Sequence, residues 1–232
     1  EYVKKLTENY HHDIRTNRGV EQVWSDDSGA YIKDRSGDVS RFDHVVMASH
    51  ADQTLNMLKS PGADERDLLG SFGYQPNKAI LHTDPSLMPK NKRAWSSWNY
   101  LSSRDNGEDS VCVTYWMNKL QNLKVEKDYF VTLNPQQLPN EDTILRSFIY
   151  HHPVFDNTAM ASQKKLWNLQ GKRRLWFCGS YFGYGFHEDG VQSGLAVAEE
   201  LGGARRPWSV KNESGRIHLP ENWPVHSVLK AA

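Results

Sequence analysis

Two short, unbroken apolar runs do most to limit how this chain can fold. Val45, Val46, Met47 and Ala48 form the first; Leu175, Trp176, Phe177 and Cys178 form the second. A run without polar alternation suits a strand covered on both faces, as in a sheet flanked by helices. The first leads into "HADQTLNMLKS" (50–60), a helical pattern with Leu55 and Leu58 on its inner face, ended by Pro61–Gly62. The second crosses a glycine-punctuated, aromatic turn into another helical stretch. The pattern predicts one sheet shared by the two outer portions of the chain. Ligands of such sheets sit beyond the carboxyl ends of the strands, where helix amino-termini converge.

The segments around these runs have a different texture. Residues 2–10 place Tyr2 and Leu6, with Val3 and Tyr10, on one helical face. Strand-like pieces at 12–17, 19–24 and 30–35 alternate with turn signals at 17–19, 25–29 and 35–38, which predicts a β-meander. From residue 72 onward come aromatic-rich β-type segments at 77–85, 93–101, 110–120, 128–135 and 144–155. Residues 158–171 then predict a helix with Ala159, Leu166 and Leu169 facing inward. The expected fold class is mixed α/β. Residues 1–71 and 172–204 make one lobe of meander, buried strands and helices, and a β-rich α+β lobe is inserted at 72–171. Residues 205–232 carry Pro207, Pro220 and Pro224 without periodicity and read as a tail wrapped over the surface.

Composition excludes several classes. Lys plus Arg and Asp plus Glu balance at 28 each, and no basic stripe offers itself to nucleic acid. No stretch has the length of a membrane span, and no signal peptide is visible. Cys112 and Cys178 sit inside apolar runs and suit buried free thiols in a reducing compartment, which points to the cytoplasm. The histidines His11, His12, His50, His82, His151, His152 and His187 show no H-x-x-x-H spacing, and there is no C-x-x-C, so no metal site is expected. Ser49, His50 and Asp52 read as a turn or cap, because catalytic triads assemble from distant segments. Trp95, Trp98 and Tyr100 read as one strand face. Core packing accounts for them, and Trp98 and Tyr100 are the alternative lining of an apolar substrate pocket.

The stretch "RLWFCGSYFGYGFHEDGVQSGLAVAEELGG" (174–203) carries the most chemistry. Gly179 lets the backbone turn sharply after the strand. Val191, Leu195, Ala198 and Leu201 fall on one helical face, expected to pack on the sheet. Gly190 and Gly194 each weaken that helix by about 1 kcal/mol relative to alanine. Close approach of another backbone or of a flat ligand would offset the cost. A first turn without bulky side chains also suits an anion, since its N–H groups lack partners and carry partial positive charge. Capping by Asp189, with the glycines serving tight helix–sheet packing, explains the same residues without a ligand.

"RRLWFCGSYFGYGFHEDGVQSGLAVAEEL" (173–201) resembles the C-terminal flavin-binding signature of the amine oxidase/phytoene desaturase-like FAD flavoproteins. "IRTNRGVEQV" (14–23) and "FDHVVMASHADQTLNML" (42–58) extend the likeness over roughly residues 10–203. "YQPNKAILHTD" and "AWSSWNY" are similar to a bacterial subgroup of NAD/FAD-binding oxidoreductases associated with cyclopropane fatty-acid synthases. The resemblance implies a partial, Rossmann-like FAD-binding lobe and a substrate lobe at 72–171. It implies that Val20 presents its backbone to the adenine of FAD, and that Gly179 and Ser180 lie by the pyrophosphate and ribityl chain. Many relatives carry an acid where this chain has Ser180. Glu188, Asp189, Gly190 and Val191 would place backbone N–H groups against the pyrimidine edge of the flavin, with His187 at the same edge. Reduction puts negative charge on that edge, and an aimed helix N-terminus stabilises it.

The same family begins with a G-x-G-x-x-G turn, and none occurs in these 232 residues. With the start at Glu1, this predicts a chain without the N-terminal FAD-binding segment, binding FAD weakly or not at all on its own and prone to self-association. The implied function is part of an FAD-dependent oxidoreductase that takes a hydride equivalent from a small, largely apolar, lipid-related substrate. The alternative is a flavin-free binding or scaffold module whose aromatic sheet meets a lipid-like ligand or a protein partner.

Overall fold

The computed structural model describes residues 2–105 and 108–223, and for 102–105 and 108–111 the backbone alone. Glu1, Pro224 and the last residues of the expected tail lie outside the described residues. In chain order the elements are α1 (Tyr2–Leu6), β1 (Val20–Asp26), β2 (Gly29–Asp34), β3 (Val39–Phe42), β4 (Val45–Met47), α2 (Ala51–Met57) and α3 (Ala63–Leu69). There follow β5 (Gly73–His82), β6 (Trp98–Asp105), β7 (Glu108–Trp116), α4 (Met117–Leu120), β8 (Phe130–Leu133) and β9 (Ile144–Val154). The chain returns through α5 (Asn157–Gln163), β10 (Leu175–Phe177) and α6 (His187–Gly202), with 3-10 turns at Leu166–Leu169 and Ser180–Phe182.

The chain divides into two units, residues 1–73 with 153–232 and residues 74–152. The inserted unit therefore ends at 152, not at the expected 171. The reason is packing: α5 and the turn Leu166–Leu169 lie against α3, and that turn also meets β10, so both belong to the outer unit. Ala159, Leu166 and Leu169 are buried there, as the helical spacing predicts.

In the outer unit the two apolar runs pair as parallel strands, with Val45 opposite Leu175 and Met47 opposite Phe177. Cys178 continues the ladder by donating its N–H to the Met47 carbonyl at 3.0 Å. All three residues of β10 are buried, whereas Val46 is 43% exposed. The first run is thus covered on one face only. The meander forms its own antiparallel sheet in the order β1-β2-β3, joined to the rest by a bridge from Val23 to Leu58. Residues 12–17 are no strand; a 3-10 turn at His11–Asp13 is followed by Asn17 at φ 59°, a left-handed turn that ends any extended pairing. Tyr2, Val3, Leu6 and Tyr10 are all exposed, since α1 is one short turn that buries no residue.

The inserted unit is a five-stranded sheet in the order β6-β7-β8-β5-β9. Its core gathers Met88, Trp95 and Phe130, with Trp116 against them. Trp95 meets Trp116 and Phe130 edge-on at 5.2 and 5.6 Å, a favoured aromatic geometry. Trp95 therefore does not share a face with Trp98 and Tyr100, which are 46% and 63% exposed. It ends a 3-10 turn before β6 begins, so strand alternation does not reach it. A polar row crosses the sheet interior: His82 Nε2 meets Thr132 Oγ1 at 2.8 Å, and Thr132 meets Thr114 at 2.9 Å.

Candidate functional site

The carboxyl end of β10 leads through a short connection, residues 178–186, to the start of α6. Gly179 has φ +153°, and a Cβ there would lie 2.8 Å from the Tyr181 ring, so the turn requires glycine. The 3-10 turn beyond it buries Tyr181 and Phe182. Ser193, fully buried on α6, ties the two elements together. Its Oγ accepts the Gly179 N–H at 3.0 Å and lies 3.1 Å from the carbonyls of Gly179 and Gly190.

Asp189 closes the helix start. Its carboxylate accepts the Phe186 N–H at 2.7 Å, a capping contact from the third helical position. The Phe186 carbonyl in turn accepts the N–H groups of both Asp189 and Gly190, at 3.1 and 3.3 Å. This narrows the expected donor set of Glu188 to Val191. Among the described residues, the N–H groups of Ser180 and, in the first turn, of His187 and Glu188 have no acceptor. Gly190 holds open the space beside them: a Cβ on it would have Ser180 N as its nearest neighbour, at 3.9 Å.

A residue the sequence did not single out completes the arrangement. Arg216, in the tail, donates to the Asp189 carboxylate from Nε at 2.6 Å and from Nη2 at 3.2 Å. Its guanidinium lies 5.1 Å from the Tyr184 ring centre and 5.5 Å from that of Phe186. The Asp189 hydrogen bond holds the Arg216 pKa above its ordinary value. Its backbone N–H donates to Gln192 Oε1, whose amide donates to Glu188. Gly183 leaves room for this, because a Cβ there would meet the Asp189 carboxylate and sit 2.8 Å from the Arg216 carbonyl oxygen.

The tail also explains which side of α6 is covered. Asp189, Gln192, Ser193, Ala196, Val197, Glu199 and Glu200 are buried, while Val191 and Ala198 are exposed. The expected inner face of Val191, Leu195, Ala198 and Leu201 is thus not the one that packs. Ser193 holds the opposite face to the strand end, Arg205 and Arg206 pair with Glu199 on it, and Arg216 pairs with Asp189.

The remaining predicted residues fall elsewhere. Val20 opens β1 and lines a cleft of about 450 Å³ with His12, Arg15, Arg18, Asp34 and Phe42. Trp98 and Tyr100 lie on β6 of the inserted unit. His187 is exposed at the first position of α6. The structure brings together Gly179, Ser180, Glu188, Asp189 and Gly190, and adds Ser193 and Arg216. Ser193 had a faint signal as a small polar residue one turn from Gly190; Arg216 had none. Cys112 and Cys178 are buried free thiols, and burial pushes the Cys178 thiol up to about 11.

A parallel strand pair ending in a bare helix entrance is the arrangement of α/β proteins that bind nucleotide cofactors. The family model of flavin containing amine oxidoreductases matches residues 2–202, and the chain belongs to that family, whose cofactor is FAD. Among solved structures it is similar to a putrescine oxidase variant, at 10% identity and TM-score 0.58, over 84% of this chain and 50% of that one. It is also similar to a reduced UDP-galactopyranose mutase, at 15% and 0.56, over 93% and 54% of the two chains. Cyclohexylamine oxidase from Brevibacterium oxydans follows at 11% and 0.53, over 84% and 51%. At these identities the likeness is one of fold. The chain spans about half the length of each of these structures. No curated protein matches it in sequence.

Proposed function

We propose that this chain supplies the α6 side of an FAD site in an oxidoreductase that acts on a small, largely apolar, lipid-related substrate. The observation that carries the reading is the open space at Gly190 beside the Ser180 N–H, at a helix start whose His187 and Glu188 N–H groups have no acceptor among the described residues. FAD, when bound, supplies the hydride-accepting chemistry. The chain's own part is electrostatic and steric. The α6 entrance would face the flavin edge that gains charge on reduction, with donors already held in place. Gly179 and Gly190 would let the cofactor approach the backbone, and Asp189 would contribute its cap, its charge already matched by Arg216. Val20, His187 and Val191 would take the remaining cofactor contacts that the family resemblance implies. Trp98 and Tyr100, exposed on β6, are the candidates for an apolar substrate wall.

Buried reduced thiols favour the cytoplasm as the working compartment, and no described helix is long and apolar enough to cross a membrane. Self-association of the chain on its own belongs to the same reading, because Val191 and Val46 leave apolar surface uncovered. Titration of FAD into the chain, followed by flavin fluorescence and by sedimentation, tests the proposal. Weak binding that disappears in Gly190→Leu is the expected result. Equal flavin binding by both proteins would overturn it.

A further inference from the structure

The tail beyond residue 202 lies outside the stretch that the family model matches, yet it is fastened to α6 at both ends of the helix. Near the C-terminal end, Arg205 and Arg206 pair with the buried Glu199. At the N-terminal end, Arg216 pairs with Asp189, which has no exposed surface at all. We propose that Arg216 is a positioning residue for the α6 entrance: it holds the Asp189 carboxylate in place, so that the Phe186–Glu188 turn keeps its free donors facing outward. The role rests on the flavin reading above for its purpose, and on the geometry of the tail for its existence.

Asp189 makes two kinds of contact: Oδ2 accepts the Phe186 N–H and Arg216 Nη2, and Oδ1 accepts Arg216 Nε. A buried carboxylate needs its oxygens hydrogen-bonded, and the guanidinium supplies two of the donors. Without the guanidinium the carboxylate loses two of those three donors, swings toward solvent and takes the Phe186 cap with it. The partner also decides what an incoming anion meets. Glu188 and Asp189 put two acids at a helix start that must accept negative charge. Arg216 cancels one of them, and the helix's own partial positive charge is left to act through the N–H groups of His187 and Glu188. The fit is shaped for arginine: two donors reach one carboxylate while the plane lies near the rings of Tyr184 and Phe186.

Amide hydrogen exchange on the whole chain, resolved at Phe186, tests the assignment. In Arg216→Ala, Phe186 exchange should rise about tenfold or more, the loss expected on weakening a hydrogen bond to a charged group. Arg216→Lys, which keeps the charge without the two-point contact, should restore part of the protection. Arg205→Ala, which releases the tail at the far end of α6, should leave Phe186 unchanged. Unchanged exchange in Arg216→Ala, or an equal rise in Arg205→Ala, overturns the proposal and leaves the tail as a cover only. FAD titration of the same proteins separates the two readings. Flavin affinity lowered in Arg216→Ala alone supports both. Flavin affinity lowered as much in Arg205→Ala as in Arg216→Ala removes the link to the flavin site, while the exchange data still decide the role of Arg216.

Discussion

Ser193 Oγ accepts the Gly179 N–H at 3.0 Å, and this bond fastens the middle of α6's first turns to the end of β10. The hydroxyl is fully buried, so its removal leaves a donor without water or partner. Ser193→Ala should therefore destabilise the chain by about 1–3 kcal/mol, the cost of an unsatisfied buried polar group. Urea denaturation measures it. A change near zero would mean that the strand end and helix are held by packing alone.

Gly190→Leu should be tolerated by the fold and not by the flavin. A Cβ at this position meets nothing closer than 3.9 Å, so the protein should keep its circular dichroism spectrum and melting midpoint. Bound FAD should be lost. Ser180→Ala should weaken flavin binding far less, since a neutral hydroxyl contact is worth about 0.5–1.5 kcal/mol net. Unfolding of the leucine variant would show instead that the glycine serves packing.

His82 should make the inserted unit less stable in mild acid. Burial is the main cause of its lowered pKa, and the nearby Asp84 opposes that shift. The unfolded chain then binds a proton more readily than the folded one. Stability is complete above the unfolded histidine value and falls as pH drops below it toward the folded value. Denaturation midpoints compared at about pH 7.5 and about pH 5 should show the loss, and His82→Gln should flatten the dependence. An equal slope in both proteins would assign the acid sensitivity to other groups.

Cys178 should be unreactive in the native chain. Its thiol is pushed up to about 11 and is buried, and burial raises that of Cys112 as well. A thiol reagent at about pH 8 should label neither cysteine until denaturant is added, because the thiolate is the nucleophile. Rapid labelling of one cysteine in the native chain would contradict the packing described here.

Much of the architecture is legible from residue order alone, and particular elements show why. Val45–Met47 and Leu175–Phe177 announce themselves as strands because an unbroken apolar run has few other places to go, though burial on both faces holds for the second alone, Val46 being exposed. The meander is readable because the turn between β2 and β3 holds Gly37 at φ 94°, a conformation that favours glycine, and that letter stands in the sequence. Gly179 and Gly190 are visible as candidates for the same reason: a missing side chain is a local property.

The orientation of α6 is different. Val191, Leu195, Ala198 and Leu201 form a proper helical face, yet the opposite face packs, because Ser193 reaches Gly179 and the tail supplies cations to Asp189 and Glu199. Spacing states which residues share a face; it does not state which face meets the rest of the protein. Trp95 separates from Trp98 and Tyr100 because a 3-10 turn breaks the alternation just before the strand. Arg216 leaves no trace in any local pattern. Its place depends on an ion pair between residues twenty-seven positions apart, and such a partnership exists only once the chain has folded back on itself to bury Asp189.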